Sequence, residues 1–273
     1  MKIALTGASG FVGLHLQKAF DETIIITRKD NEKSILEKLQ GVDVVINLAG
    51  APIIKRWSEA YKNVLIVSRV ETTKKLVNAV NKSEVKHFIS TSAIGAYPDN
   101  KAYDESFEGY GDDFLGELAQ EWEGQALKCN KPTTILRFGV ILGKDGGALS
   151  SMLTPFKMGL GGNISNGEMM MSWIDIEDLL GIYSYIIEHK LTGIFNATSP
   201  NPVPNHEFTK ILGGVLHRPT FLPLPSFVLH MLFGEGASVL TGSKEIYPKA
   251  ITDAGYTFKY KTIKESLEHI VTS

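Results

Sequence analysis

Short apolar runs alternate with stretches of helical periodicity along the first half of this chain, and the alternation predicts its architecture. Ile3, Ala4 and Leu5 form a run without a polar break, as expected of a strand buried on both faces. Leu16, Ala19 and Phe20 continue as an apolar-periodic helical segment. Thr23-Ile24-Ile25-Ile26-Thr27 is β-branched throughout and reads as a second buried strand. Residues 42–47 read as a third. Residues 58–81 then put Ile66, Val70, Thr73, Val77 and Val80 on one face of a long helix, while Lys62, Arg69, Lys74 and Lys75 keep the remainder solvated. Residues 86–92 are a fourth strand. Asp113 reads as a helix cap ahead of an apolar face of Leu115, Leu118, Ala119, Trp122 and Ala126, and residues 133–138 are a fifth strand. Strand and helix in alternation specify an α/β fold with a doubly wound parallel sheet.

After residue 138 the texture changes. Residues 139–172 are glycine-rich and irregular. Two apolar segments follow, 176–187 and 193–197, and then prolines separate short helices at 205–216, 226–233 and 262–270. The expected organisation is a sheet domain over 1–138, to which some later segments return, and a smaller C-terminal cap over 139–273 on the substrate side. The charge-poor stretch 220–233 holds Pro223, Pro225 and His230, is too short and broken to span a bilayer, and reads as core or a buried lid.

Composition narrows the function classes. The 273 residues are 43% hydrophobic and 21% charged, enough to bury a large core. Lys and Arg number 28 against 30 Asp and Glu, a net charge of −2, which argues against a nucleic-acid binder working through a basic surface. Cys129 is the single cysteine, so an internal disulfide and a cysteine-built zinc site are excluded. No metal or membrane partner is expected. No signal peptide is expected either, because the first strand starts at residue 2. The expected location is cytoplasmic.

The candidate chemistry sits at the strand ends. Gly7, Gly10 and Gly13 stand between the first strand and the first helix at the spacing G-x-x-G-x-x-G. The first glycine permits the tight turn, the second lets a pyrophosphate approach the backbone, and the third lets helix and strand pack closely. The helix N-terminus adds free N–H groups and positive dipole. This predicts a Rossmann-type unit with Gly7, Ser9, Gly10, Phe11, Val12 and Gly13 at a dinucleotide. About 20 residues past the first glycine, where an NAD-binding fold places an acid on the ribose, the chain has Thr27 and Arg28. A cation there suits a 2′-phosphate, so NADP is expected over NAD, with Arg28 the main contact and Asp30 just beyond. Leu48-Ala49-Gly50-Ala51-Pro52 follow the third strand, and small residues at a strand's C-terminal end leave room for a ligand. His87 lies at the entry end of its strand, opposite the expected cleft.

With those motifs quoted, the chain resembles the extended short-chain dehydrogenase/reductase superfamily, through Thr6-Gly7-x-x-Gly10-x-x-Gly13, Asn47-Leu48-Ala49-Gly50, Ser90-Thr91-Ser92-Ala93 and Leu136-Arg137-Phe138-Gly139. Within it the chain looks like the epimerase-family branch of unassigned substrate, often labelled nucleotide-sugar epimerases. Arg56-Trp57, Trp122-Glu123, Gly146-Gly147-Ala148-Leu149 and Ser172-Trp173-Ile174-Asp175 carry that resemblance. It implies a substrate cleft between an NADP-binding domain and a cap, with Ser92 as the catalytic hydroxyl that holds the substrate oxygen. It also implies a homodimer through helices 58–81 and 113–129. The superfamily's Tyr-x-x-x-Lys pair is absent from its usual place, where Phe114 and Leu118 stand instead. Stray matches occur at Tyr97 with Lys101 and Tyr260 with Lys264, and Tyr103, Tyr110, Asp104 and Glu105 are further candidates for moving a proton. Residues 172–175 either line the cleft or form a turn with Asp175 as a cap. Two functions follow: an NADP-dependent oxidoreductase or epimerase on a nucleotide-sugar-like or other small polar substrate, or a non-enzymatic NADP-binding sensor or regulator.

Overall fold

Strand β1 (Ile3–Leu5) leads into helix α1 (Phe11–Ala19), β2 (Thr23–Ile25), α2 (Glu32–Lys38) and β3 (Val44–Asn47). The crossover that follows comprises α3 (Glu59–Ile66), a π-helical segment (Val67–Glu71) and α4 (Thr72–Asn81), and delivers the chain to β4 (His87–Ala93). After the short strand β5 (Ala102–Tyr103), helix α5 (Phe114–Ala126) crosses to β6 (Thr133–Phe138). Beyond these lie β7 (Val140–Gly143), α6 (Gly147–Lys157), β8 (Met170–Met171), β9 (Trp173–Asp175), α7 (Ile176–His189) and β10 (Gly193–Ala197). The structure is a computed structural model describing residues 1–272; Ser273, the last residue of the expected cap, lies outside the described residues.

The central sheet has the order β2-β1-β3-β4-β6-β10 with every pair parallel, a doubly wound Rossmann-type arrangement. Its pleat explains the unbroken apolar strands. Ile3, Leu5, Val44 and Ile46 face one core with α1 and α7, while Ala4, Val45 and Phe88 face the other with α2, α4 and α5. β10 is the sixth strand, and Leu179, Ile182, Tyr183 and Ile186 of α7 pack in the same core as β1. Segments that follow residue 138 thus complete the sheet. A separate core joins α6 to the helices Asn205–Leu216 and Ile263–Thr272 through Leu149, Phe156, Trp173, Phe208, Leu212 and Leu267.

Several elements differ from the expectation. Helix α2 gives little periodic signal because its seven residues bury only Ile35; Asn31 starts it by accepting a hydrogen bond from Ser34 N at 2.9 Å. Region 139–172 is more regular than its glycines suggest, since β7 pairs with β9 and α6 tolerates Pro155. Residues 220–233 are neither core nor a buried lid: Phe221, Phe227, Met231 and Leu232 are exposed, and Leu229 is buried. The long crossover helix is not fully solvated on its charged face. Lys62 pairs with Glu59 and Glu235, Lys75 donates to the Asp30 carbonyl, and Arg69 turns inward.

Candidate functional site

From β1 the chain passes to β2 on one side, and it reaches β3 on the other side of β1. Crossovers that leave in opposite directions open a crevice at the carboxyl ends of β1 and β3. The glycine turn fills its floor. Gly7 adopts φ +65°, and a Cβ there would lie 2.6 Å from the Leu48 carbonyl oxygen. A Cβ on Gly13 would lie 2.5 Å from the Gly7 carbonyl oxygen, so this residue sets how closely α1 approaches β1. Gly10 differs. Its nearest obstruction is the Gly7 carbonyl oxygen at 3.3 Å, and Ser9 and Gly10 are exposed. No side chain caps α1, leaving its first turn open to an anion, while Phe11 is half-buried and Val12 buried.

Buried hydroxyls brace the loop opposite. Thr6 Oγ1 donates to Asn47 Oδ1 at 2.7 Å and accepts from Leu48 N and Ala49 N at 3.0 and 3.1 Å. Asn47 Nδ2 donates to Thr73 Oγ1 at 2.8 Å, and Trp122 Nε1 donates to the same oxygen at 2.9 Å. Leu48 and Ala49 are therefore held by Thr6, just after β1, and Asn47 before them is braced by Thr73 of α4, which Trp122 of α5 also contacts.

At the end of β2, Asp30 is already engaged. Lys38 Nζ approaches its Oδ2 at 2.7 Å, and Thr27 donates both its N–H, at 2.7 Å, and its hydroxyl, at 3.0 Å. The Lys38 hydrogen bond, followed by that of the Thr27 amide, holds its carboxyl well below the usual carboxylate range. Arg28 is exposed and has no side-chain partner among the described residues. The acid beside the expected ribose position is thus neutralised within the protein, and the free charge there is positive.

Ser92 belongs to a buried polar cluster that the sequence did not reveal. Its hydroxyl donates to Glu123 Oε1 at 2.5 Å, and both residues are 1% exposed. Arg137 engages Glu123 bidentately, Nε to Oε1 and Nη2 to Oε2, both at 2.8 Å. Register explains the meeting: Ser92 on β4 lies beside Arg137 on β6, and α5 covers both. Burial opposes the Arg137 charge, but Glu123 holds its pKa above the ordinary arginine range. Tyr110 donates to Glu123 Oε2 at 2.8 Å, and burial together with that carboxylate pushes its hydroxyl up to about 12. Among the tyrosines and acids of loop 93–112, Tyr110 reaches Glu123, and Tyr97 joins the cluster through Arg137, whose guanidinium lies 4.7 Å from the Tyr97 ring centre. Glu105 instead accepts from Asn196 N and Ala250 N, and Asp104 from Ser106 N. The spacing of Trp122-Glu123 and Arg137 carries no sign of the contact, which depends on helix-to-sheet packing.

The other marked residues have structural partners. His87 Nε2 lies 2.8 Å from Thr134 Oγ1 at the far end of β4, and burial lowers its pKa. Phe114 packs edge-on to Trp57 at 5.2 Å, and Leu118 is buried among Trp57, Leu65 and Trp122. Tyr97 is fully buried and donates to Asn196 Oδ1, whereas Lys101 is exposed. Tyr260 bonds Glu177, and Lys264 pairs with Glu268 on the surface. Asp175 accepts from Glu177 N at the start of α7 and from Ser266 Oγ, and Ser172 Oγ donates to the Lys244 carbonyl; both are buried, so Asp175 is the expected cap, while residues 173–175 form strand β9 rather than a turn. The glycines of 143–147 make room for Phe11: a Cβ on Gly146 would lie 2.3 Å from its ring.

Comparison with known proteins agrees with this architecture. Residues 3–197 match the NAD dependent epimerase/dehydratase family, and residues 224–270 match a domain of unknown function, DUF1731. The chain is 36% identical to the epimerase family protein SDR39U1 homolog, chloroplastic, of Arabidopsis thaliana, covering 99% of this chain and 87% of that one. It is 32% identical to the epimerase family protein SDR39U1 of Homo sapiens over 99% of this chain and 100% of that one. A crystal structure of human SDR39U1 (isoform 2) with NADPH is similar at a TM-score of 0.94 and 30% identity, covering 100% of this chain and 99% of that one. No helix among the described residues is long and apolar enough to cross a membrane.

Proposed function

Because the chain belongs to the NAD dependent epimerase/dehydratase family, we propose that it binds NADP and acts as an oxidoreductase or epimerase on a nucleotide-sugar-like or other small polar substrate. One observation carries the reading. Gly7 and Gly13 are filled by neighbouring backbone, while Gly10 and the uncapped first turn of α1 are open, as a bound diphosphate requires. The residues present fit the dinucleotide: amides of Phe11 and Val12 would face the diphosphate, Leu48, Ala49 and Gly50 would border its riboses, and Arg28 would pair with the 2′-phosphate. The NADPH in the human relative supports the choice of phosphorylated cofactor.

Bound NADP supplies hydride acceptance or donation at its nicotinamide ring. This chain's residues would orient substrate and cofactor and handle the proton. Ser92, the expected catalytic hydroxyl, shares Glu123 with Tyr110, so the cluster links a buried serine to a half-buried phenol. A phenol raised to about 12 keeps its proton at neutral pH, so Tyr110 could enter the chemistry only as a proton donor. The same cluster favours a second reading. With the Ser92 hydroxyl donated to Glu123, and Phe114 and Leu118 in apolar packing, a non-enzymatic NADP sensor or regulator is the alternative. Two further elements belong to the proposal. Free Cys129 suits a reducing, cytoplasmic compartment. A homodimer through helices 58–81 and 113–129 would cover Val64, Val67 and Leu127, which are exposed.

Fluorescence titration with NADPH and NADH tests the cofactor. NADPH is expected to bind at least tenfold more tightly; equal or tighter NADH binding overturns the NADP assignment, and binding of neither overturns the proposal. Hydride transfer is then measured across a panel of nucleotide sugars and small carbonyl compounds. Turnover that falls in Ser92→Ala and Tyr110→Phe supports the enzyme. No turnover, with an unchanged cellular phenotype in Ser92→Ala, supports the regulator.

A further inference from the structure

Arg69 lies in the π-helical segment Val67–Glu71, where the long crossover changes its winding. Such bulges occur often at functional sites because they re-aim a side chain. Here the guanidinium turns under the loop after β3: a Cβ on Gly50 would lie 3.2 Å from both its Cζ and its Nη2. Gly50 is exposed and Arg69 half-buried, so the group reaches the crevice surface. Nη2 donates to the Ala51 carbonyl at 3.0 Å, and Nη1 makes long contacts of 3.4 Å to the Leu65 carbonyl and Ser68 Oγ. The Trp122 ring lies 5.4 Å below.

All of these partners are neutral. Among the described residues no carboxylate pairs with Arg69, and neither Nε nor the second Nη2 proton has an acceptor. Desolvation lowers its pKa to about 10, which leaves it a cation at neutral pH. A half-buried planar cation with unused donors, beside a glycine that leaves it uncovered, matches the bidentate geometry of an oxyanion.

Its place in the fold separates it from the diphosphate. The turn at Gly7 abuts the Leu48 carbonyl on one side of the loop, whereas Arg69 abuts Gly50 two residues further on. Arg69 comes from the β3-to-β4 crossover and contacts Trp122 of α5, the crossover to β6. It therefore stands on the Ser92 side of the crevice. We propose that Arg69 receives an anionic group of the substrate, a carboxylate or a phosphate, beside the cofactor. The assignment rests on the cofactor reading above and removes neutral molecules from the small polar substrates, leaving nucleotide-sugar-like and other anionic ones.

The test titrates inorganic phosphate and glucuronate, with glucose as the neutral control, into wild-type protein, Arg69→Gln and Arg69→Lys. Each titration is followed by thermal shift with and without saturating NADPH, and NADPH affinity is measured separately. The expected result is stabilisation by one or both anions and none by glucose. Arg69→Gln should weaken anion binding at least tenfold, Arg69→Lys should weaken it less, and NADPH affinity should change less than threefold in both. Preference for phosphate or for glucuronate identifies which oxyanion the site takes. Anion binding that is absent from wild type, or unchanged in Arg69→Gln, overturns the proposal. So does a tenfold loss of NADPH affinity with anion binding intact, which would give Arg69 to the cofactor's diphosphate. If Arg69→Gln fails to fold, Arg69→Lys decides alone: weakened anion binding with unchanged NADPH affinity supports the site, and unchanged anion binding overturns it. Failure of wild type to bind NADPH counts against the cofactor reading, while the cofactor-free titrations still report on Arg69.

Discussion

At the scale of single residues, charge state is set by partners more than by position in the sequence. Arg28 and Asp30 stand two residues apart, yet Asp30 is consumed by Lys38 and Thr27 while Arg28 is left free. A charge-assisted hydrogen bond to phosphate contributes about 1.5–3 kcal/mol. Arg28→Ala is therefore expected to weaken NADPH binding about ten- to hundredfold and to leave NADH affinity nearly unchanged, measured by fluorescence titration. His87 shows the opposite case, a titratable group that burial keeps neutral. Its folded pKa is depressed, so below the unfolded value of about 6.5 the unfolded chain takes up a proton that the folded chain refuses. That contribution is present above about pH 6.5 and is lost as pH falls towards the folded pKa, at up to about 1.4 kcal/mol per pH unit. His87→Gln keeps a polar partner for Thr134 without the titration. Urea denaturation at a series of pH values should show a shallower loss of stability below pH of about 6.5 than in wild type.

At the scale of elements, helices are placed by a few close approaches. Gly13 lets α1 lie against the turn, and Gly116 does the same where α5 begins, its Cβ position lying 2.1 Å from the Gly111 carbonyl oxygen. Gly13→Ala should cost about 1–3 kcal/mol through overpacking and should also weaken NADPH, because α1 shifts relative to the phosphate turn. Equal urea midpoints and equal NADPH affinity in this variant would show that the close approach is unimportant. The buried Glu123–Arg137 pair ties α5 to the sheet in the same way, but by charge. Removing either partner would strand the other without compensation. The elements legible in the sequence were α5, through its apolar periodicity, and the first five sheet strands, through their short apolar or β-branched runs. Helix α2 was not legible, since it offers one buried side chain within its span. Helical periodicity assigns Arg69 to the solvated face because it does not register a π-turn.

At the scale of the whole molecule, the central sheet draws on both halves of the chain. β10 and α7 come after residue 138, yet Leu179, Ile182, Tyr183 and Ile186 are fully buried against residues of β1, α1 and β3. A fragment of residues 1–138 would expose that entire face. It is expected to lack near-ultraviolet circular dichroism and a cooperative urea transition, and a cooperative transition in the fragment would show that the first half folds alone. Within the whole chain, the phosphate turn was readable from residues alone. Gly7, Gly10 and Gly13 act through local geometry, where strand, turn and helix follow one another within a few residues. The parallel sheet was readable for a similar reason, because apolar runs without polar breaks require burial on both faces. The partners of Ser92 and Arg69 depend on distant contacts. Glu123 reaches Ser92 across 31 residues, and Arg69 meets Gly50 and Trp122 only after α3, α4 and α5 have packed. Periodicity determines which side of a helix is buried, but tertiary packing decides which polar groups meet there and which charge remains unpaired.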